Sequence, residues 1–156
     1  LLPMNYDQVR QTQVGFPGGG FELDGAAKAR LDVILDYMKA DPTVNHVELN
    51  GHSDNSGNRL TNRDMSRRRA LAVADYLKAH GVPEEQITVR FHGERYPLAK
   101  NTNAANRARN RRVNIELDRV TVVEKPVEKP VEQAAPAAPT PAPASPAAAA
   151  PGAKAP

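Results

Sequence analysis

Two apolar periods alternate along the first 120 residues, and together they lay out most of a fold. Ala27, Leu31, Ile34, Leu35 and Met38 recur at the spacing of one helix face. Asp24 stands before this run as an N-cap. Asp41-Pro42 ends it, because a residue before proline is pushed out of the helical region. Val47 and Leu49 then alternate with His46, Glu48 and Asn50, the period of a strand with one buried face. A longer helix is predicted from about Leu60 to His80, with Gly81 at its C′ position and Pro83 beyond. Ile87, Val89 and Phe91 repeat the strand period; so do Val113, Ile115 and Leu117, after a short basic helix near Ala104–Arg109. Thr12–Phe16 reads as a first strand, closed by the Pro17-Gly18-Gly19-Gly20 loop, whose backbone permits close approach of a ligand or another segment. The order predicts an α/β (α+β) sandwich, β-α-β-α-β-(α)-β, with the helices packed on one face of a mixed sheet.

The flanks lack either period. Residues 1–11 read as a leader or linker, residues 12–119 as the domain, and residues 120–156 as a disordered tail. Nine of the fourteen prolines lie after Thr121, among alanines, and such a composition does not bury enough surface to offset its ordering entropy. The three lysines and three glutamates of that tail cancel, so the net charge of +3 belongs to the domain. There is no cysteine, which excludes disulfides and thiolate metal sites. No run reaches the ~18 apolar residues of a membrane-spanning helix.

One residue breaks the helical pattern. On a wheel at ~100° per residue with Met65 at zero, Tyr76 falls near ~20°, Val73 near ~80° and Ala72 near ~−20°. Arg69 falls near ~40°, inside that arc, whereas Arg67 lies near ~200° and Arg68 on the flank. Asn62 shares the face of Arg69. A guanidinium on a core face needs an anion or a set of acceptors. The nearest acid by topology is Asp54, at the end of the strand that feeds this helix. Two readings follow: a structural Asp54–Arg69 salt bridge, or a site in which Arg69 takes a ligand carboxylate and Asp54 an ammonium, together a receptor for an amino-acid head group.

Four blocks in order carry a family likeness: G-H-S-D-N-S-G, N-R-D-M-S-R-R-R-A-L-A-V-A-D-Y-L, G-V-P-E-E-Q-I-T-V-R-F-H-G-E-R-Y-P and N-R-A-R-N-R-R-V-N-I. Over about residues 12–119 the chain resembles the OmpA-like peptidoglycan-binding domain. The resemblance implies non-covalent binding of peptidoglycan through the diaminopimelate of its stem peptide, in the periplasm of a Gram-negative bacterium. It implies that Asp54 takes the amino group, that Arg69 takes the carboxylate, and that Asn62 and Arg111 line the same pocket. Ser53, Gly18, Gly19 and Arg112 are expected at the rim, Arg112 being read alternatively as a structural pairing. Two positions depart from the family pattern. Phe16-Pro17-Gly18-Gly19-Gly20 replaces an F-D-type loop, which puts side-chain contacts from that loop in doubt, and Asn106 replaces a glycine. Within the family, L-L-P-M-N-Y-D-Q-V-R-Q-T-Q-V and H-G-E-R-Y-P-L-A-K-N are similar to flagellar-motor members. That likeness implies basal-body or stator proteins as partners and a β-rich domain upstream of Leu1. The broader alternative is a tether between outer membrane and cell wall.

Other function classes find less support. His52, Ser53 and Asp54 are consecutive, so they do not face one another as a catalytic triad must. His46, His52 and His92 lack metal-ligand spacing. No catalytic residue, metal or cofactor is expected. Arg67–Arg69 and Arg107–Arg112 are basic clusters of the kind that contact nucleic acid, but no aromatic stacking pair lies beside either.

Overall fold

A computed structural model describes residues 5–121. The elements follow in the order α1 (Tyr6–Val9), β1 (Gln11–Gly15), α2 (Gly25–Ala40), β2 (His46–Gly51), α3 (Arg59–Ala79), β3 (Ile87–Phe91), α4 (Ala104–Asn110) and β4 (Arg112–Asp118). A 3₁₀ turn at Glu84–Gln86, which the apolar pattern does not show, leads into β3. The sheet order is β1-β4-β2-β3. β2 and β3 run parallel, while β4 is antiparallel to both β1 and β2. This is the mixed-sheet α+β sandwich that the period of the sequence predicts.

The strand period sorts the two faces of the sheet. Val47, Leu49, Val113, Ile115 and Leu117 point one way and are buried with Leu31, Ile34, Val73 and Leu77 of the helices. Burying each such side chain contributes about 2 kcal/mol. α3 packs on β2, β3 and β4, and α2 on β1. The other face carries Glu48, Asn50, Asn114 and Glu116, paired Glu48 to Glu116 and Asn50 to Asn114 across β2 and β4.

The helix ends obey the cap chemistry. Asp24 accepts from the Ala27 amide (2.8 Å), as its position predicts, and Asn58 and Asn103 cap α3 and α4 in the same way. Gly81 follows α3 at φ 107°, a left-handed conformation that costs other residues a Cβ clash. α3 also lies unusually close to β2. A Cβ built on Gly51 would come 2.1 Å from the Ser66 carbonyl oxygen, so the helix rests on bare strand backbone there.

Residues 5–11 differ from the patternless leader the sequence suggests. Asn5 and Gln8 form a reciprocal capping box that starts α1. Val9 is buried, the Tyr6 hydroxyl donates to the Leu117 carbonyl (2.8 Å), and β1 begins at Gln11. One helical turn is too short to show a period, which is why it escaped the apolar pattern. Residues 122–156, most of the Pro/Ala-rich segment, lie outside the described residues.

Candidate functional site

The end of β2, the start of α3, the loop after β1 and the residue before β4 meet at one edge of the sheet. They enclose a cleft of about 330 Å³ lined by Asp54, Asn62, Arg69 and Arg111, with Ser53, Gly18 and Gly19 at its edges. Seven of the eight residues singled out from the sequence therefore share one cleft. Arg112 does not. Its side chain is buried and donates to Asn114 Oδ1 (3.1 Å) and to the Asn110 and Tyr96 carbonyls (3.4 and 3.2 Å). It points to the open side of the sheet because successive strand residues alternate faces. Burial lowers its pKa, and it holds the loop after β3 in place.

Arg69 is 2 % exposed. Its Nε donates to the Gly20 carbonyl (2.8 Å), Nη2 to the Gly19 carbonyl (2.6 Å) and Nη1 to the His52 carbonyl (3.2 Å). Its Cζ lies 5.6 Å from the centre of the Phe16 ring. The Asp54–Arg69 salt bridge, the structural one of the two readings, is absent among the described residues. Asp54 instead pairs with Arg111, Nη1 to Oδ2 at 2.6 Å. The physical reason is that three backbone carbonyls satisfy Arg69, leaving Asp54 to the arginine that arrives from α4. A guanidinium has five donors, so two N–H groups of Arg69, which lines the cleft, are left over.

Asp54 is held from two sides. Its Oδ1 accepts from the Ser56 amide (3.0 Å), an Asx turn, and its Oδ2 accepts from Arg111. Burial raises its carboxyl, but the Ser56 and Arg111 hydrogen bonds outweigh that, and its pKa lies below the usual carboxylate range. Burial lowers Arg69 to about 10, with Asp54 opposing and Arg111 adding to the shift, so it stays charged at neutral pH. Two guanidinium groups against one carboxylate leave the cleft with an excess positive charge.

Two arginines also pin the glycine-rich loop. Arg111 Nε donates to the Phe16 carbonyl (3.0 Å) and Nη2 to that of Pro17, while Arg69 holds Gly19 and Gly20. The loop thus contributes backbone, and no glycine side chain, to the cleft. Asn62, 5 % exposed, exchanges hydrogen bonds with both backbone groups of Gly57 (3.1 and 2.9 Å) and donates to Glu94. The Ser56 contact went unnoticed in the sequence, although the D-x-S spacing after Gly51 is the signal for it.

His52 is buried beside this cleft, stacked on His92 with ring centres 5.1 Å apart. Burial, then Arg112 and His92, lower its pKa to about 3, so it is neutral at physiological pH. Ser53 donates through its hydroxyl to the Asp54 carbonyl (2.8 Å). These residues shape the turn after β2.

Residues 15–111 match the OmpA family. The chain belongs to that family. Among OmpA-family relatives, it is 30 % identical over 122 residues to the sodium-type flagellar protein MotY of Vibrio parahaemolyticus, covering 78 % of this chain and 42 % of MotY. It is 38 % identical over 102 residues to the peptidoglycan-binding protein ArfA of Mycobacterium bovis, covering 65 % of this chain and 31 % of ArfA. The chain therefore spans less than half the length of these OmpA-family relatives. The fold matches the crystal structure of the peptidoglycan-associated lipoprotein from Burkholderia pseudomallei with a TM-score of 0.63, at 26 % identity over 68 % of this chain and 89 % of that one.

Proposed function

We propose that this domain binds peptidoglycan non-covalently, in the periplasm, through the diaminopimelate of the stem peptide. The observation that carries the reading is that Asp54 and Arg69 line the same cleft without pairing with each other. Asp54 is ionised and keeps acceptor capacity beyond its two partners. Arg69 is buried, charged and keeps two donors. An amino-acid head group carries an ammonium and a carboxylate a few bonds apart. Asp54 takes the ammonium, and Arg69 takes the carboxylate through charge-assisted hydrogen bonds. Asn62 and Arg111 complete the walls, and the excess positive charge draws the acidic end of the ligand. Membership of the OmpA family and the likeness to peptidoglycan-binding and peptidoglycan-associated relatives support the same ligand.

The test is sedimentation of the purified chain with isolated cell-wall sacculi. Wild type is expected in the pellet, and Asp54→Ala and Arg69→Ala in the supernatant, each with an unchanged far-ultraviolet dichroism spectrum. Removing one partner of a desolvated charge pair costs about 2–5 kcal/mol, enough to clear the pellet. Wild type remaining in the supernatant at low salt rejects the reading.

For the assembly so anchored we favour the flagellar motor, with basal-body or stator proteins as partners. The similarity to MotY extends over 122 residues, beyond the segment shared with the family at large. The likeness to a peptidoglycan-associated lipoprotein supports a second reading, a general tether of the outer membrane to the wall. Recovery of the chain with isolated flagellar basal bodies separates the two: enrichment there supports the motor, and even distribution over the envelope supports the tether.

A further inference from the structure

A second cleft, of about 390 Å³, adjoins the first. Arg59, Leu60 and Arg63 of the first turns of α3 form one wall, and Phe91, Glu94 and Arg95 at the end of β3 form the other. The hydrogen bond from Asn62 to Glu94 ties the wall of the first cleft to that of the second.

Arginines in this domain are mostly engaged. Arg67 and Arg68 share Asp64, Arg90 faces Glu48, Arg111 faces Asp54 and Arg119 faces Asp41. Arg69 and Arg112 are satisfied by carbonyls. Among the described residues, Arg10, Arg59, Arg63, Arg95, Arg107 and Arg109 have no acid or carbonyl partner for their side chains, and Arg59, Arg63 and Arg95 of these line this one cleft. Arg59 and Arg63 stand four apart on the helix, where like charges repel. Glu94 is the one acid on the cleft, and its carboxylate is turned to Asn62.

The turn behind the cleft is fixed. Gly93 has φ 60°, and a Cβ there would lie 3.2 Å from Arg63 Cα, so the turn after β3 presses directly on α3. Its amide accepts no freedom either: it donates to Ser66 Oγ (2.9 Å), and its carbonyl accepts from the Ser53 amide (2.9 Å). The Arg63 guanidinium sits 4.8 Å from the centre of the Phe91 ring, which orients its donors while leaving them unpaired. Three guanidinium groups gathered on one cleft suit an anionic oxygen cluster.

We propose that this cleft is a second anion-binding site, taking a phosphate or carboxylate group. If the first cleft holds the stem peptide, the source is an acidic group elsewhere on the same polymer; otherwise it is a free anion. This source assignment rests on the peptidoglycan reading, whereas the site itself does not.

Two arms test it, both on the whole chain with the triple variant Arg59→Ser/Arg63→Ser/Arg95→Ser. In the first arm, inorganic phosphate is titrated at constant ionic strength and the Gly93 and Glu94 amide resonances are followed. Saturable shifts are expected in wild type and in Arg69→Ala, and none in the triple variant. In the second arm, affinity for sacculi is expected to fall about tenfold in the triple variant at low salt, with the difference closing as salt rises. Arg69→Ala fails in the second arm alone, which separates the two clefts. A response in the first arm only assigns the site to a free anion, and a response in the second only assigns it to the polymer. A triple variant that matches wild type in both arms overturns the proposal. If wild type does not bind sacculi, the peptidoglycan reading falls and the phosphate arm still decides this one.

Discussion

β2 and β4 each carry one member of an acid–arginine pair beyond both ends, and the two pairs behave differently. Asp54 follows β2 and meets Arg111, which precedes β4; Asp41 precedes β2 and meets Arg119, which follows β4. Asp41 is saturated. It accepts from the Tyr37 hydroxyl (2.6 Å), the Thr43 amide (3.2 Å) and hydroxyl (2.5 Å), and Arg119 (2.8 Å). The Thr43 hydrogen bond, then those of Tyr37 and Arg119, hold its carboxyl well below the usual range. Asp54 has only the Ser56 amide and Arg111, although its side chain is the more buried, at 9 % exposure against 20 %. The far pair is a clasp, closed on itself. The near pair is under-coordinated and borders a cleft. On the function proposed above, what distinguishes a binding group from a strut is the number of acceptor positions left over, and an ion pair by itself does not tell them apart.

The largest effect that sharpens this contrast belongs to Arg69, the residue that holds the cleft end together. Arg69→Met keeps the bulk but leaves the carbonyls of Gly19, Gly20 and His52 without their donor. A loss of about 3 kcal/mol in urea unfolding is expected. Arg119→Met at the far end removes a half-exposed side chain and is expected to change stability far less. Equal losses in the two variants would mean that the cleft end is not built on its buried arginine.

Next comes the pair of acids. Asp54→Asn preserves shape and removes charge, so affinity for sacculi is expected to fall about thirtyfold, or ~2 kcal/mol. Asp41→Asn loosens the clasp and is expected to lower the melting temperature while sacculus affinity stays at the wild-type value. Comparable loss of binding in both would show that Asp54 acts through general stability, and the distinction between clasp and binding group would fail.

The sequence made the near end partly legible. Helical period alone separated Arg69 from Arg67 and Arg68, because a wheel reports which face a residue occupies. It does not report what waits on that face. The acceptors turned out to be backbone carbonyls of Gly19, Gly20 and His52, which no side-chain pattern encodes, and of the two readings of Asp54 and Arg69 the direct salt bridge is the one not seen, since Asp54 meets Arg111. Arg112 was drawn to the cleft by its neighbour Arg111, although strand alternation sends the two apart. Asn110 illustrates the same blind spot. Fully buried, it accepts from the Leu98 and Ala99 amides (2.7 and 2.9 Å) and donates to the Ala99 carbonyl, fixing the long loop after β3. The strands and long helices were readable because their burial repeats. α1 was not, though Asn5 and Gln8 at capping-box spacing marked its start.

Acid titration separates the two ends by pH. His52 belongs to the cleft end, and its folded pKa of about 3 lies below the ordinary histidine value. The unfolded chain therefore binds a proton at a higher pH than the folded one, and stability falls as pH drops below about 6.5, by about 1 kcal/mol per unit. His92, lowered first by burial and then by Arg95 and Arg90, adds to the same slope. Asp54 and Asp41 have depressed pKa values, so their contribution is intact at and above the ordinary carboxylate pKa of about 4 and is lost only as pH falls further. The cleft end should thus weaken between about pH 6.5 and 4 while the Asp41 clasp holds. Melting temperatures across that range are expected to decline in wild type and to decline less steeply in His52→Gln, which has no proton to gain. An equally steep decline in His52→Gln would assign the loss elsewhere. A Thr43→Val variant, which strips one hydrogen bond from the far clasp, should leave that slope unchanged and make the fall below about pH 4 shallower, because the Asp41 carboxyl then lies closer to its unfolded value.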